Sequence, residues 1–121
     1  MRVVVTSAGR DLDAPVDGRF ARCQYFVFVD MDSMDFEVVE NVAAVVSSGA
    51  GAPAAYLVKH RGAEAVLTGH VGPTAAEILL DAGIGVYAGA EGRVREVLRR
   101  FNEGGLRSVE SATVPSGFGL G

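Results

Sequence analysis

The sequence predicts an α/β domain of three layers, a mixed five-stranded sheet with helices on both faces. Two observations carry this. Short β-branched apolar runs such as "RVVVT" (2–6) are nearly unbroken, as in strands covered on both sides. Between the later runs, apolar residues recur at i, i+3, i+4 and i+7, the stripe of a helix packed on a sheet.

The elements follow in order. "RVVVT" is the first strand, and a long loop, "SAGRDLDAPVDGRFARC" (7–23), comes next. "QYFVFVD" (24–30) has strong β-propensity; the polar turn "MDSMDF" then leads into "FEVVE" (36–40), the returning arm of a hairpin. "GAPAAYLVKHRG" (51–62) reads as a helix with Ala54, Leu57 and Val58 inward and Gly62 at its end. "EAVLT" (64–68) is a buried strand, and from Pro73 a helical stripe runs through Ala75, Ile78, Leu79 and Ala82. "IGVYA" (84–88) is the fifth strand. Val94, Val97, Leu98 and Phe101 form the last helical stripe, stopped by Gly104. The final "ESATVPSGFGLG" has no periodicity and reads as a flexible or draped tail. One domain over residues 1–106, with a tail over 107–121, accounts for the chain.

Composition excludes several classes of function. Residues are 49% apolar and 21% charged, with net charge −4, so there is no basic field for nucleic acid or an anionic membrane. Trp is absent and aromatic residues are not interleaved with basic ones. No stretch is long enough to span a bilayer. "MRVVVTSAG" breaks into polar loop too soon for a secretory signal, and Cys23 has no intrachain partner, so a reducing cytoplasm is the expected location.

A second strand antiparallel to the first brings three loops to one edge of the sheet: 7–23, "SSGAGAP" (47–53) and "TGHVGP" (68–73). Open α/β sheets bind ligands at such an edge. Two of these loops are glycine-rich and open helices with proline in the first turn. Their unpaired N–H groups and positive dipole ends suit an anion. Arg19 and Arg22 add cationic forks, and His70 and Cys23 are the soft or borderline metal ligands nearby. Other candidates have plain structural readings. His60 suits the C-terminal end of a helix, Asp11, Asp13 and Asp17 solvate the long loop, and Asp30, Asp32 and Asp35 belong to the hairpin turn.

"DGRFARCQYFVFVD", "GAGAPAAYLVKHRGAEAVLTGHVGPTAAEILLDAGIGVY" and "GRVREVLRRFNEGGL" together resemble the dinitrogenase iron–molybdenum cofactor biosynthesis family, from Arg2 to about Leu106. The most specific pieces are Arg19–Phe20, "GAG" at 49–51 and "TGHVGP" with the following "AGI". The resemblance implies a ribonuclease H-like sheet in the order 3-2-1-4-5 with strand 2 antiparallel. It also implies a non-enzymatic carrier of a metal–sulfur cluster, of the iron–molybdenum or molybdenum–copper sulfide type. Such a cluster is weakly or non-covalently held, can be missing from the isolated protein, and is exchanged with donor or acceptor proteins. Carried over residue by residue, it points to Arg19, Gly49, Gly51, Gly69, His70 and Gly72. Ser7, Arg22 and Ala50 complete the candidate cofactor-binding set, with His70 and Cys23 as metal ligands. Many relatives have Cys where this chain has Val71, and many have Ala where it has Cys23.

A nuclease needs several carboxylates on its central strands, and "RVVVT" and "AVLTG" contain none. Two competing readings use the same edge. One is a regulatory or interaction module for a small organic anion or nucleotide, although neither GxGxxG nor a Walker A motif occurs. The other is an enzyme with Cys23 as nucleophile and His70 as base, which requires the two in hydrogen-bond reach.

Overall fold

The computed structural model describes residues 1–46 and 48–115; Ser47 of the glycine-rich loop and tail residues 116–121 lie outside them. Strands β1 (Arg2–Ser7), β2 (Tyr25–Asp30), β3 (Phe36–Glu40), β4 (Ala65–Leu67), β5 (Gly85–Ala88) and β6 (Arg107–Val109) form one sheet. Helices α1 (Gly51–His60), α2 (Pro73–Asp81) and α3 (Val94–Asn102) complete the α/β architecture.

The strand order is β3-β2-β1-β4-β5-β6, so the sheet has six strands and not the expected five. The additional strand is Arg107–Val109, inside the stretch expected to be tail, and it pairs antiparallel with β5 (Val86 with Val109, Ala88 with Arg107). Its three residues are short and mostly exposed, so no apolar alternation announces it. Partner and not pattern makes it a strand. β2 is antiparallel to β1, while β4 is parallel to both β1 and β5.

Alternate residues of the central strands feed two separate cores. Val4, Phe26, Phe28, Val66 and Val86 meet α1 and α2 on one face. Val3, Val5, Val27, Val29 and Leu67 meet Val94, Val97 and Leu98 of α3 on the other. The period-2 alternation of strands therefore makes "RVVVT" apolar throughout, since both its faces are covered. In α2 the inward residues are Ala75, Ala76 and Leu79, and Ala82 of the expected stripe is exposed beyond the helix end.

Helix boundaries follow local chemistry. Pro73 at the first position of α2 has no N–H to leave unpaired, and Gly72 before it is extended. At the start of α3 the Glu96 carboxylate accepts the Arg93 N–H at 3.0 Å. The chain leaves all three helices through a glycine with positive φ, Gly62, Gly83 and Gly104, a conformation without steric cost only when Cβ is missing.

Candidate functional site

β1 and β4 run parallel, so the loops that follow Ser7 and Leu67 leave the sheet at the same edge. There the backbone of 18–20 pairs with that of 69–70. His70 N–H donates to Gly18 O at 2.7 Å, Phe20 N–H donates to His70 O at 3.2 Å, and Arg19 and His70 are bridge partners. The seam needs glycine, since a Cβ on Gly69 would lie 2.7 Å from Gly18 Cα. Beneath it, Thr6 Oγ1 donates to Asp17 O at 2.6 Å and lies 2.9 Å from Thr68 Oγ1. These hydroxyls are fully buried, so each finds a polar partner inside the fold.

Around this seam the expected residues take different positions. His70 is exposed and Gly69 and Gly72 are buried. The Arg19 side chain is 58% exposed but not free of contacts: Asp17 faces it with a nitrogen–oxygen separation of 3.3 Å. The Asp17 carboxylate also accepts the Arg19 backbone N–H at 3.0 Å. The hydrogen bond and charge of Asp17 push the guanidinium pKa further up.

Arg22, expected as mobile positive charge, is a brace. Its guanidinium donates to the carbonyls of Ala44 and Val46, tying the short 3-10 turn Phe20–Arg22 to a second one, Val42–Val45, just before the glycine-rich loop. Gly49 is exposed at φ 72, whereas Ala50 and Gly51 are buried where α1 begins. Ser7 is buried, and its hydroxyl is engaged with Gly9, accepting the N–H at 3.1 Å and donating to the carbonyl at 2.8 Å.

Cys23 is not presented at the edge as a ligand would be. It is 0% exposed; its thiol donates to Phe20 O at 3.3 Å and lies 3.7 Å from Asn41 Nδ2. Burial pushes the thiol pKa well up, with the Asp17 charge adding to it and hydrogen bonds only partly offsetting it. The thiolate that would bind metal or attack a substrate is therefore disfavoured. Its partners are Phe20 and Asn41, not His70, and this removes the geometry that the nucleophile–base reading requires.

Several residues at this edge gave no functional signal in the sequence. Asp17, read as loop solvation, both caps and pairs with Arg19; the Asp-Gly dipeptide 17–18 marks a turn but not what the turn holds. Buried Asn41 donates to Ala21 O and Cys23 O and accepts from Ala43 N–H, fixing the 20–23 turn against the segment after β3. Thr113, beyond β6, folds back over Val71. Its hydroxyl accepts the Val71 N–H at 2.8 Å, and its own N–H donates to Val71 O at 2.9 Å.

The edge thus combines an exposed imidazole, a half-neutralised guanidinium and two helix starts. In α2 the Thr74 and Ala75 N–H groups precede the first helical bond, from Ala76 N–H to Gly72 O; in α1 those of Gly51 and Ala52 precede the bond from Ala54 to Ala50. The start of α3 is spoken for, since Val94 and Arg95 donate to Ala14 O and Leu12 O. Among the described residues no group of three or more His, Cys, Asp or Glu side chains is placed to hold a metal ion. Among them, too, no helix is long and apolar enough to cross a membrane.

A family model described as dinitrogenase iron-molybdenum cofactor matches residues 1–104. The fold is similar to that of the apo form of the orange protein from Desulfovibrio gigas, with TM-score 0.90 and 40% identity over 93% of this chain and 96% of that one. It is also similar to a Thermotoga protein of the DUF35 family solved by NMR, with TM-score 0.82 and 36% identity over 93% and 97% of the two chains. An uncharacterized protein of Methanocaldococcus jannaschii is 30% identical over 94 residues, 75% of this chain and 80% of the other.

Proposed function

This chain belongs to the dinitrogenase iron-molybdenum cofactor family, and from that premise we propose that it is a non-catalytic carrier of an anionic metal–sulfur cluster. The cluster is cargo, of the iron–molybdenum or molybdenum–copper sulfide type, received from one protein and given to another. The observation that supports this reading is the backbone bridge between Arg19 and His70, which makes a cationic residue and an exposed histidine neighbours at the sheet edge.

The residues divide the work. Among the described residues of this edge, His70 offers an exposed imidazole nitrogen as ligand. Arg19 and the first-turn N–H groups of α2 balance the cargo's negative charge without bonding to metal. Asp17 opposes this by holding Arg19, so the cargo must share or displace a carboxylate. With Cys23 sealed in the core, no thiolate reinforces the imidazole. A cluster held by one nitrogen and by charge exchanges readily, as transfer between proteins requires.

The test is an anaerobic titration of the full chain with tetrathiomolybdate, with and without Cu(I) or Fe, followed by visible absorption and amide chemical shifts. New charge-transfer bands are expected, with shifts concentrated in 7–23, 48–53 and 68–74. His70→Ala should weaken binding far more than His60→Ala, whose imidazole lies at the far end of α1. Equal effects would mean the wrong imidazole. No response, beside a clear response to nucleotides or small organic anions, would replace the carrier with a regulatory binding module.

A further inference from the structure

β3 is the terminal strand of the sheet, paired with β2 on one flank and with no strand on the other. The β2–β3 ladder fixes which of its residues look outward. Tyr25 stands opposite Glu40 and Val29 opposite Phe36. One step beyond each end of that register, Asn41 N–H donates to Gln24 O at 3.0 Å and Asp30 N–H donates to Asp35 O at 2.9 Å. Bonded and non-bonded pairs alternate in an antiparallel ladder, so Glu37 and Val39 turn their N–H and C=O groups towards β2. Phe36, Val38 and Glu40 turn theirs away from the sheet.

The side chains along this open edge are apolar to an extent that a solvated edge is not. Met34, Phe36, Val42, Val45 and Val46, before, in and after the strand, are 39% to 87% exposed. Among the described residues, only Met1 and Tyr56 join them as exposed large apolar side chains. Scattered apolar residues are ordinary on a surface, whereas a run of them at one place marks an interaction site. Sheets blunt their edges with short strands and charge, and β6 at the other end does so with three residues, Arg107 and Ser108 both exposed. β3 has five residues, and its Glu37 is already answered within the chain, by Arg2 at 3.1 Å and Arg61 at 3.4 Å.

We propose that β3 is a pairing edge for a second copy of this chain, joined antiparallel about a two-fold axis at Val38. That register bonds Val38 to its own counterpart and Phe36 to the second copy's Glu40, so every outward residue is used in both copies. It also brings exposed Met34 level with the second copy's Val42. Charge selects this register. Centred on Val38, Glu37 stands opposite Val39 and Glu40 opposite Phe36, with no like charges facing; centred one residue earlier, Glu37 would stand opposite itself. One short strand with its flanks lies at the small end of specific interfaces, so the dimer is weak and reversible. The pairing residues are not those of the Arg19–His70 edge, and the proposal stands or falls apart from the carrier reading.

Sedimentation velocity of the full chain from about 1 μM to about 1 mM, the span of weak association, should show a monomer–dimer equilibrium. Amide hydrogen exchange at low and high concentration reads the register. Phe36, Val38 and Glu40 should gain protection on dimerisation, while Glu37 and Val39 are protected in both states. Val38→Pro removes an N–H that the β2 ladder does not use, so circular dichroism should stay native. Its dissociation constant should rise about tenfold or more, since one bond is lost from each copy. Val38→Lys sets two ammonium groups face to face and should weaken the dimer similarly. A chain that stays monomeric at every concentration, protection that falls on β6 or a helix instead, or a dimer unweakened by both Val38 variants would overturn the proposal.

Discussion

Gly69 lies against Gly18 so closely that an added β-carbon would meet the Gly18 carbonyl oxygen at 2.8 Å as well as its Cα. Both neighbours are backbone, so nothing there can rotate aside. Gly69→Ala must open the seam between 18–20 and 69–70, at a cost of about 1–3 kcal/mol in overpacking. Gly72→Ala is the control, since nothing lies within 4 Å of its added carbon and its φ is −81°. Urea midpoints should separate the two variants clearly. Equal midpoints would mean that the seam does not hold the loop in place.

Thr6 and Thr68 should behave unequally. Thr6 Oγ1 gives its proton to Asp17 O, so the shared contact is made by Thr68 donating to Thr6. Thr6→Val strands the buried Thr68 hydroxyl, at about 1–3 kcal/mol, and also leaves the part-buried Asp17 carbonyl without this donor; Thr68→Val strands neither and costs less. The double variant should be more stable than the sum of the singles predicts. A thermodynamic cycle from chemical denaturation measures this, and strict additivity would deny the contact.

Cys23 predicts a loss of stability on the alkaline side. Its folded-state pKa lies above the ordinary 9.0, so below pH 9.0 both folded and unfolded chains keep the proton and nothing changes. Above it the unfolded chain ionises first, and stability falls by up to about 1.4 kcal/mol per pH unit. Cys23→Ala should flatten that decline by the same slope. In the native parent the thiol should also resist alkylation until denaturant is added. Rapid native alkylation would show that the side chain leaves the core readily.

The Asp17–Arg19 pair is exposed on its arginine side, so its removal should change stability by no more than about 1 kcal/mol. Its effect on binding should be larger and of opposite sign for the two partners. Asp17→Asn releases Arg19 and raises affinity for tetrathiomolybdate, whereas Arg19→Gln lowers it, and added salt narrows both differences. If Asp17→Asn also weakens binding, the carboxylate orders the site more than it competes with cargo.

The sequence conveys the layers well because each strand and helix carries its own period. "FEVVE" coincides with β3, and the stripe Val94, Val97, Leu98 coincides with the buried side of α3. β6 escapes because three half-polar residues have no period to read. At the edge, loop convergence follows from strand directions, which hydrophobic runs can suggest. The roles of Arg22 and Cys23 do not. They are adjacent at the end of a single 3-10 turn, and only its docking against Asn41 and the 42–46 segment decides which one is a brace and which is buried. Asp17 stays hidden for a related reason: an Asp-Gly turn looks the same whether or not its carboxylate has a cation to hold.

The fold-back of Thr113 bears on how the protein is cut for experiment. The family match ends at residue 104, before both β6 and Thr113. A chain trimmed to that span would uncover the amide and carbonyl of Val71, next to the imidazole of His70, and bare the outer flank of β5. Such a fragment would offer small anions a fresh donor, and other chains a place to zip on. Affinities or oligomers measured with it would describe the scissors as much as the protein.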